Sequence, residues 1–150
     1  MADEEKVVWH TAIPDTLEER KHVTHLTLGG NDLTALPSEL WDCTALKRLH
    51  LQYNNLTSLP REIGCLTALE KLYLYRNKLT TLPPEIGCLT ALKVLYLYNN
   101  KLNESDYTIE AVRKRWVEYR AVQDAAVVAA LHLVRDYPTG VAKLVCKQLD

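Results

Sequence analysis

From residue 22 to residue 103 the hydrophobic positions return every 23 residues. The segments "HVTHLTLGGNDLTALPSELWDCT" (22–44), "ALKRLHLQYNNLTSLPREIGCLT" (45–67), "ALEKLYLYRNKLTTLPPEIGCLT" (68–90) and "ALKVLYLYNNKLN" (91–103) stand in register, three full copies and one partial. Leucines recur at 26, 49, 72 and 95, at 28, 51, 74 and 97, and at 33, 56, 79 and 102; asparagines recur at 31, 54, 77 and 100. Within a copy, Leu49 and Leu51 lie two apart, which puts both on one face of a short strand and sends Arg48, His50 and Gln52 to the other. Asn54 stands where the chain leaves that strand, and its amide can pair with turn groups that the sheet no longer satisfies. Leu56, Leu59 and Ile63 then turn inward along an outer arc, with Pro60 stopping regular pairing and Gly64 easing the return. One copy therefore describes one coil.

A single coil cannot bury its own leucines, so the copies must stack, and their strands line up as a parallel sheet on the concave side of a curved solenoid. The pattern L-x-x-L-x-L-x-x-N-x-L-x-x-L-P over residues 22–103 resembles the leucine-rich-repeat family. The segments "LPREIGCLTAL" and "LPPEIGCLTAL" are similar to its intracellular subclass, which includes Ras-group and related scaffold proteins. The resemblance implies an α/β fold, a short right-handed solenoid whose repeats bind other proteins, among them small GTPases and phosphatases in that group. This chain has few coils, so no particular partner carries over.

The ends read differently. Residues 1–21 are expected to cap the first coil, with Val7, Val8, Trp9, Ile13 and Leu17 in a short helix and strand laid against it. The repeat fails at Ser105, where a leucine is due. Residues 104–150 form a C-terminal helical cap: Ile109, Val112, Trp116, Tyr119, Val122, Ala126, Ala129 and Leu133 mark one face of a long helix that Asp106 or Thr108 can cap. "DYPTG" at 136–140 breaks it before a shorter helix through Val141, Leu144, Val145 and Leu149, giving a helical hairpin that seals the last coil or offers a surface of its own. The basic run around Trp116 (Arg113, Lys114, Arg115, Arg120) reads as a solvated helix face with the indole turned into the core.

The outward strand positions form columns across the sheet: His25, Arg48, Lys71, Val94; then Thr27, His50, Tyr73, Tyr96; then Gly29, Gln52, Tyr75, Tyr98; with Gly30, Tyr53, Arg76 and Asn99 at the strand ends. Tyr73, Tyr75, Tyr96 and Tyr98 should make a two-by-two block, with Tyr53 beside it and Arg48, His50, Lys71 and Arg76 as a cationic edge. Tyrosine and arginine are the side chains whose truncation most often costs a complex about 2 kcal/mol or more. These nine residues are the candidate partner-binding site, for a protein partner with an acidic segment.

Charge and composition narrow the classes. The 150-residue chain suits one domain, and a net charge of −1 gives no general field for nucleic acid or anionic membrane, neither of which is expected as a partner. The acidic start, "MADEEK", is followed by no apolar run of signal length, and Ala126–Val134, interrupted by His132, is far shorter than the about 20 residues of a membrane span. A cytoplasmic protein, monomeric or weakly self-associating, is expected. Cys43, Cys65, Cys88 and Cys146 are then reduced; Cys65 and Cys88 share a repeat phase, which admits a redox pair or half a metal site, or two small buried side chains. The histidines at 10, 22, 25, 50 and 132 have no ligand spacing, Gly29-Gly30 is no phosphate loop, and no nucleophile with its base is visible, so neither enzyme, metal nor cofactor is expected. Beside the binding module stand two alternatives: a regulatory subunit of a GTPase or phosphatase, and a structural protein self-associating through its C-terminal helices or an incompletely sealed end.

Overall fold

The computed structural model describes residues 12–103 and 108–133, from 127 onward as backbone. It divides into two units at Trp116/Val117. In the first unit, four short strands, β1 (His25–Thr27), β2 (Arg48–His50), β3 (Lys71–Tyr73) and β4 (Val94–Tyr96), form one parallel sheet in chain order. Its register is the sequence period: Leu26 lies opposite Leu49, Leu49 opposite Leu72, and Leu72 opposite Leu95. The strands are brief because the next inward leucine is followed at once by the turn that holds the asparagine.

On the outer arc each coil tightens into a 3-10 turn, Ser38–Asp42, Arg61–Cys65 and Pro84–Cys88. Each is entered from an extended proline, Pro37, Pro60 or Pro83, whose ring fixes φ and carries no N–H to leave unpaired. Between arc and sheet lies a continuous core in which Leu28, Leu49, Leu51, Leu56, Ile63, Leu66, Leu69, Leu72 and Leu74 are sealed from water. Each such leucine contributes roughly 2 kcal/mol of burial, so stacking is what holds the coils.

The asparagines lock one coil to the next. Asn77 Oδ1 accepts from Leu56 N (3.1 Å), while its Nδ2 donates to Leu51 O of the preceding coil (2.9 Å) and Leu74 O of its own (3.0 Å). Asn54 and Asn100 repeat the arrangement one coil before and one coil after. The expected ladder is thus a set of three-way clamps.

At the start, Ile13 is buried against the first coil, and a single helical turn, α1 (Leu17–Arg20), is closed by Thr16, which accepts from Glu19 N and donates to its carboxylate. The expectation that Leu17 lies against the coil fails: it is exposed. One turn offers one inward position, and Arg20 takes it, bonding Pro14 O (2.8 Å), Asp15 O (2.9 Å) and Asp42 (3.1 Å). Val7, Val8 and Trp9 lie outside the described residues.

At the other end, α2 (Ile109–Leu133) begins with Thr108 Oγ1 accepting from Ala111 N at 3.1 Å, the expected cap. Val112 is buried, Ile109 and Trp116 half-buried. The Trp116 side chain lies directly on Gly87, where a Cβ would collide with it. The basic run is not merely solvated. Arg113 donates to Leu92 O (3.1 Å) and Thr90 O (3.5 Å), and Arg115 to Leu82 O (3.3 Å), so the guanidiniums meet backbone carbonyls of the third and fourth copies. Only the first two turns of the predicted apolar face are used in this unit. In the second unit Val117, Tyr119, Val122 and Ala126 are exposed. The side chains of Ala129 and Leu133, and the second helix of the expected hairpin, fall outside the described residues.

Candidate functional site on the concave face

Tyrosines at outward positions of neighbouring strands stand one strand spacing apart, close enough to stack. Tyr75 and Tyr98 do so, with centroids 4.6 Å apart and planes 10° from parallel, and His50 stacks on Tyr73 at 4.2 Å and 11°. Tyr73 and Tyr96 lie 5.4 Å apart with a 40° tilt, and Tyr96 meets Tyr98 edge to face at 6.4 Å. The expected block therefore forms, as two ladders running across the strands. Stacked rings cover one another's faces and present edges and hydroxyls; the open faces lie at the ends of the ladders. Among the described residues no strand follows β4, and Tyr96 and Tyr98 are 47% and 49% exposed.

Tyr53 joins by a route the alternation of strand positions does not show. It adopts the left-handed conformation (φ 58°), as do Arg76 (55°) and Asn99 (57°) at the equivalent positions, and Gly30 (75°) before them. The turn brings the Tyr53 ring edge-on to Tyr75 at 5.4 Å and sets the Arg76 guanidinium 5.3 Å from its centroid. For tyrosine and arginine this backbone is strained by roughly 1 kcal/mol each, retained here because the next residue is the clamping asparagine.

The cationic edge needs one correction. Burial lowers the His50 pKa from its usual value; the Arg48 and His25 charges act in the same direction and the Gln52 carboxamide against it. His50 is therefore neutral at pH 7 and serves as a ring of the ladder, leaving Arg48, Lys71 and Arg76 as the charges expected beside the block. Sequence reasoning missed Glu70, just before β3, whose carboxylate is held below its usual range by a 3.0 Å hydrogen bond and ion pair with Lys93. Their 23-residue separation was the available signal. Burial raises the Tyr75 pKa, as do its tyrosine neighbours, so its hydroxyl remains a donor at neutral pH.

Cys43, Cys65 and Cys88 are in no disulfide; burial raises the Cys43 and Cys65 pKa values, with Asp42 and Glu62 respectively adding to it. Among the described residues there is no cluster of three or more histidine, cysteine or acidic side chains able to hold a metal, and no helix long and apolar enough to cross a membrane.

Three solved structures similar to this chain are much longer than it. The chain is similar to a crystal structure of an internalin, InlF, from Listeria monocytogenes (30% identity, TM-score 0.54), over 60% of this chain and 26% of that one. It is also similar to the functional domain of InlJ from the same organism, which includes a cysteine ladder (27% identity, TM-score 0.51, 62% of this chain and 20% of that). A third likeness is to the ectodomain of the plant membrane receptor kinase GASSHO1/SCHENGEN3 from Arabidopsis thaliana, solved with CASPARIAN STRIP INTEGRITY FACTOR 2 (37% identity, TM-score 0.51, 59% and 11%). The chain thus spans about a quarter or less of each. No curated protein sequence matches it. The family model described as "Leucine rich repeat" matches residues 21–79 and again 44–102, together more than half of the chain, which belongs to the leucine-rich-repeat family.

Proposed function

We propose that this chain binds a protein partner on the concave face of its sheet, through Tyr53, Tyr73, Tyr75, Tyr96 and Tyr98, with Arg48, Lys71 and Arg76 drawing an acidic segment of that partner. Leucine-rich repeats generally mediate protein–protein interaction. The observation that carries the reading is the pair of aromatic ladders, solvent-accessible at β4 and flanked by cations, in a chain whose net charge is −1. Large, rigid rings bind with little loss of side-chain freedom, and the cations speed encounter with an acidic surface. The two LPxEIGxL segments support an intracellular, cytoplasmic member of the Ras-group-like subclass.

The test is capture from cell extract with wild type beside Tyr73→Ala/Tyr75→Ala and Arg48→Glu/Lys71→Glu, each checked for folding by circular dichroism. A protein held by wild type and lost from both variants supports the reading; retention of the same protein by folded variants overturns it. Association with that protein should slow as salt rises, with less change in the final complex.

A further inference from the structure

Granted the partner-binding reading, we propose that Tyr53 and Arg76 form a preset seat for a carboxylate, which fixes the acidic residue of the partner at the strand-end rim of the concave face with Lys78 beside it. At the strand-end position every coil takes the left-handed backbone: Gly30 (φ 75°), Tyr53 (58°), Arg76 (55°) and Asn99 (57°). Glycine and asparagine enter that region at little cost; tyrosine and arginine do not. The two are nevertheless locked into the same ladder, Tyr53 N–H donating to Tyr75 O at 3.2 Å and Arg76 N–H to Tyr98 O at 3.0 Å. Strain kept where glycine or asparagine would relieve it marks side chains held for contact rather than for folding.

Those side chains meet each other. The Arg76 guanidinium lies 5.3 Å from the Tyr53 ring centroid, and Tyr75 holds that ring edge-on at 5.4 Å. A guanidinium with one face on a ring is already oriented, so its fork can take both oxygens of a carboxylate with little further loss of freedom. The Arg76 charge also reaches the Tyr75 phenol. Asn77 turns into the core, so exposed Lys78 follows Arg76 on the outside of the same coil. Its N–H, donating to Leu56 O at 2.9 Å, sets it against the coil of Tyr53. The strand-end columns of the second and third coils, Tyr53 with Arg76 and Asn55 with Lys78, thus carry two cations and no acid. The opposite rim is different: Glu70 precedes Lys71 in the chain, bonds Lys93 at 3.0 Å and feels the Lys47 and Arg48 charges, so the chain's own carboxylate answers part of that field. Charge complementarity therefore seats the partner's acid at Arg76 and leaves Arg48 and Lys71 to guide encounter. An apolar residue beside that acid then falls on the ladder of Tyr75 and Tyr98.

Nuclear magnetic resonance titration of the full chain tests this with end-capped peptides: acidic Leu-Trp-Asp-Glu-Asp, its amide counterpart Leu-Trp-Asn-Gln-Asn, and Leu-Trp-Asn-phosphoserine-Asn. At millimolar concentration the acidic peptide should shift the Arg76 Nε–Hε and Tyr53 ring signals along a saturable curve, and the amide peptide should not. Arg76→Lys keeps the charge and loses the fork, so it should weaken the acidic peptide at least about tenfold, against less than about twofold for Arg48→Lys. Tyr53→Asn removes the ring but suits the left-handed backbone, so it should weaken binding about fivefold while the urea midpoint holds or rises. The seat is overturned by an Arg76 signal that the acidic peptide leaves unmoved or the amide peptide moves as much, by a response to the phosphoserine peptide alone, or by Arg76→Lys or Tyr53→Asn binding like wild type. A Tyr53→Asn midpoint that falls in step with its affinity also overturns it, by making Tyr53 a support of the fold. Loss of the captured protein from Tyr73→Ala/Tyr75→Ala, with retention by Arg76→Lys and Tyr53→Asn, keeps the partner-binding reading and discards the seat alone.

Discussion

Replacing Asn77 by alanine isolates what one clamp contributes. Asn77 is 7% exposed and makes three hydrogen bonds, but the losses are unequal. Leu51 O keeps Asn54 and Leu74 O keeps Asn100, so both carbonyls remain paired. The N–H of Leu56, buried in the core, loses its acceptor. An orphaned buried donor costs about 1–3 kcal/mol, and the small void left by the amide adds about 1, giving roughly 3 kcal/mol in all. Asn100→Ala removes the same number of bonds and orphans the N–H of buried Leu79, but the amide it deletes is half-exposed, so water can enter the space left behind and the cost should be about 1 kcal/mol. With a urea slope of about 2 kcal/mol/M, the midpoint should fall by roughly 1.5 M for Asn77→Ala and about 0.5 M for Asn100→Ala, at unchanged slope. Equal losses would refute the reasoning, because exposure of the deleted amide is its only discriminator, Leu56 and Leu79 being equally buried. Asn77→Asp should be worse than alanine, since a carboxylate keeps the acceptor, loses both donors and buries a charge beside two carbonyls.

The end of the stack and the pH response give two further tests. Gly87→Ala should weaken the fold by about 2 kcal/mol through its collision with Trp116, and Trp116→Gly, which removes the Cβ as well as the indole, should abolish most of that extra cost in a double-mutant cycle read by urea unfolding; strict additivity would show that they do not touch. Because the His50 pKa is lowered in the folded chain, the unfolded chain takes up a proton first as pH falls through the ordinary histidine value near 6.5, so stability should drop from there down to the folded pKa and then level. His50→Gln should remove that part of the pH dependence of the urea midpoint, and an unchanged profile would count against it.

Residues repeated in kind were legible in the sequence; residues acting through an end were not. The columns of Arg48, His50, Lys71 and the four tyrosines followed from a period of 23 and the two-residue alternation of a strand, because a parallel register repeats whatever the period repeats. The left-handed backbone at Tyr53 and Arg76 was hidden because neither residue type announces it, although Gly30 and Asn99 at the same phase do. Arg113 and Arg115 carry an ordinary solvated-face pattern; carbonyls left unmet on the third and fourth copies draw them inward, and that deficit exists only once the coils have stacked.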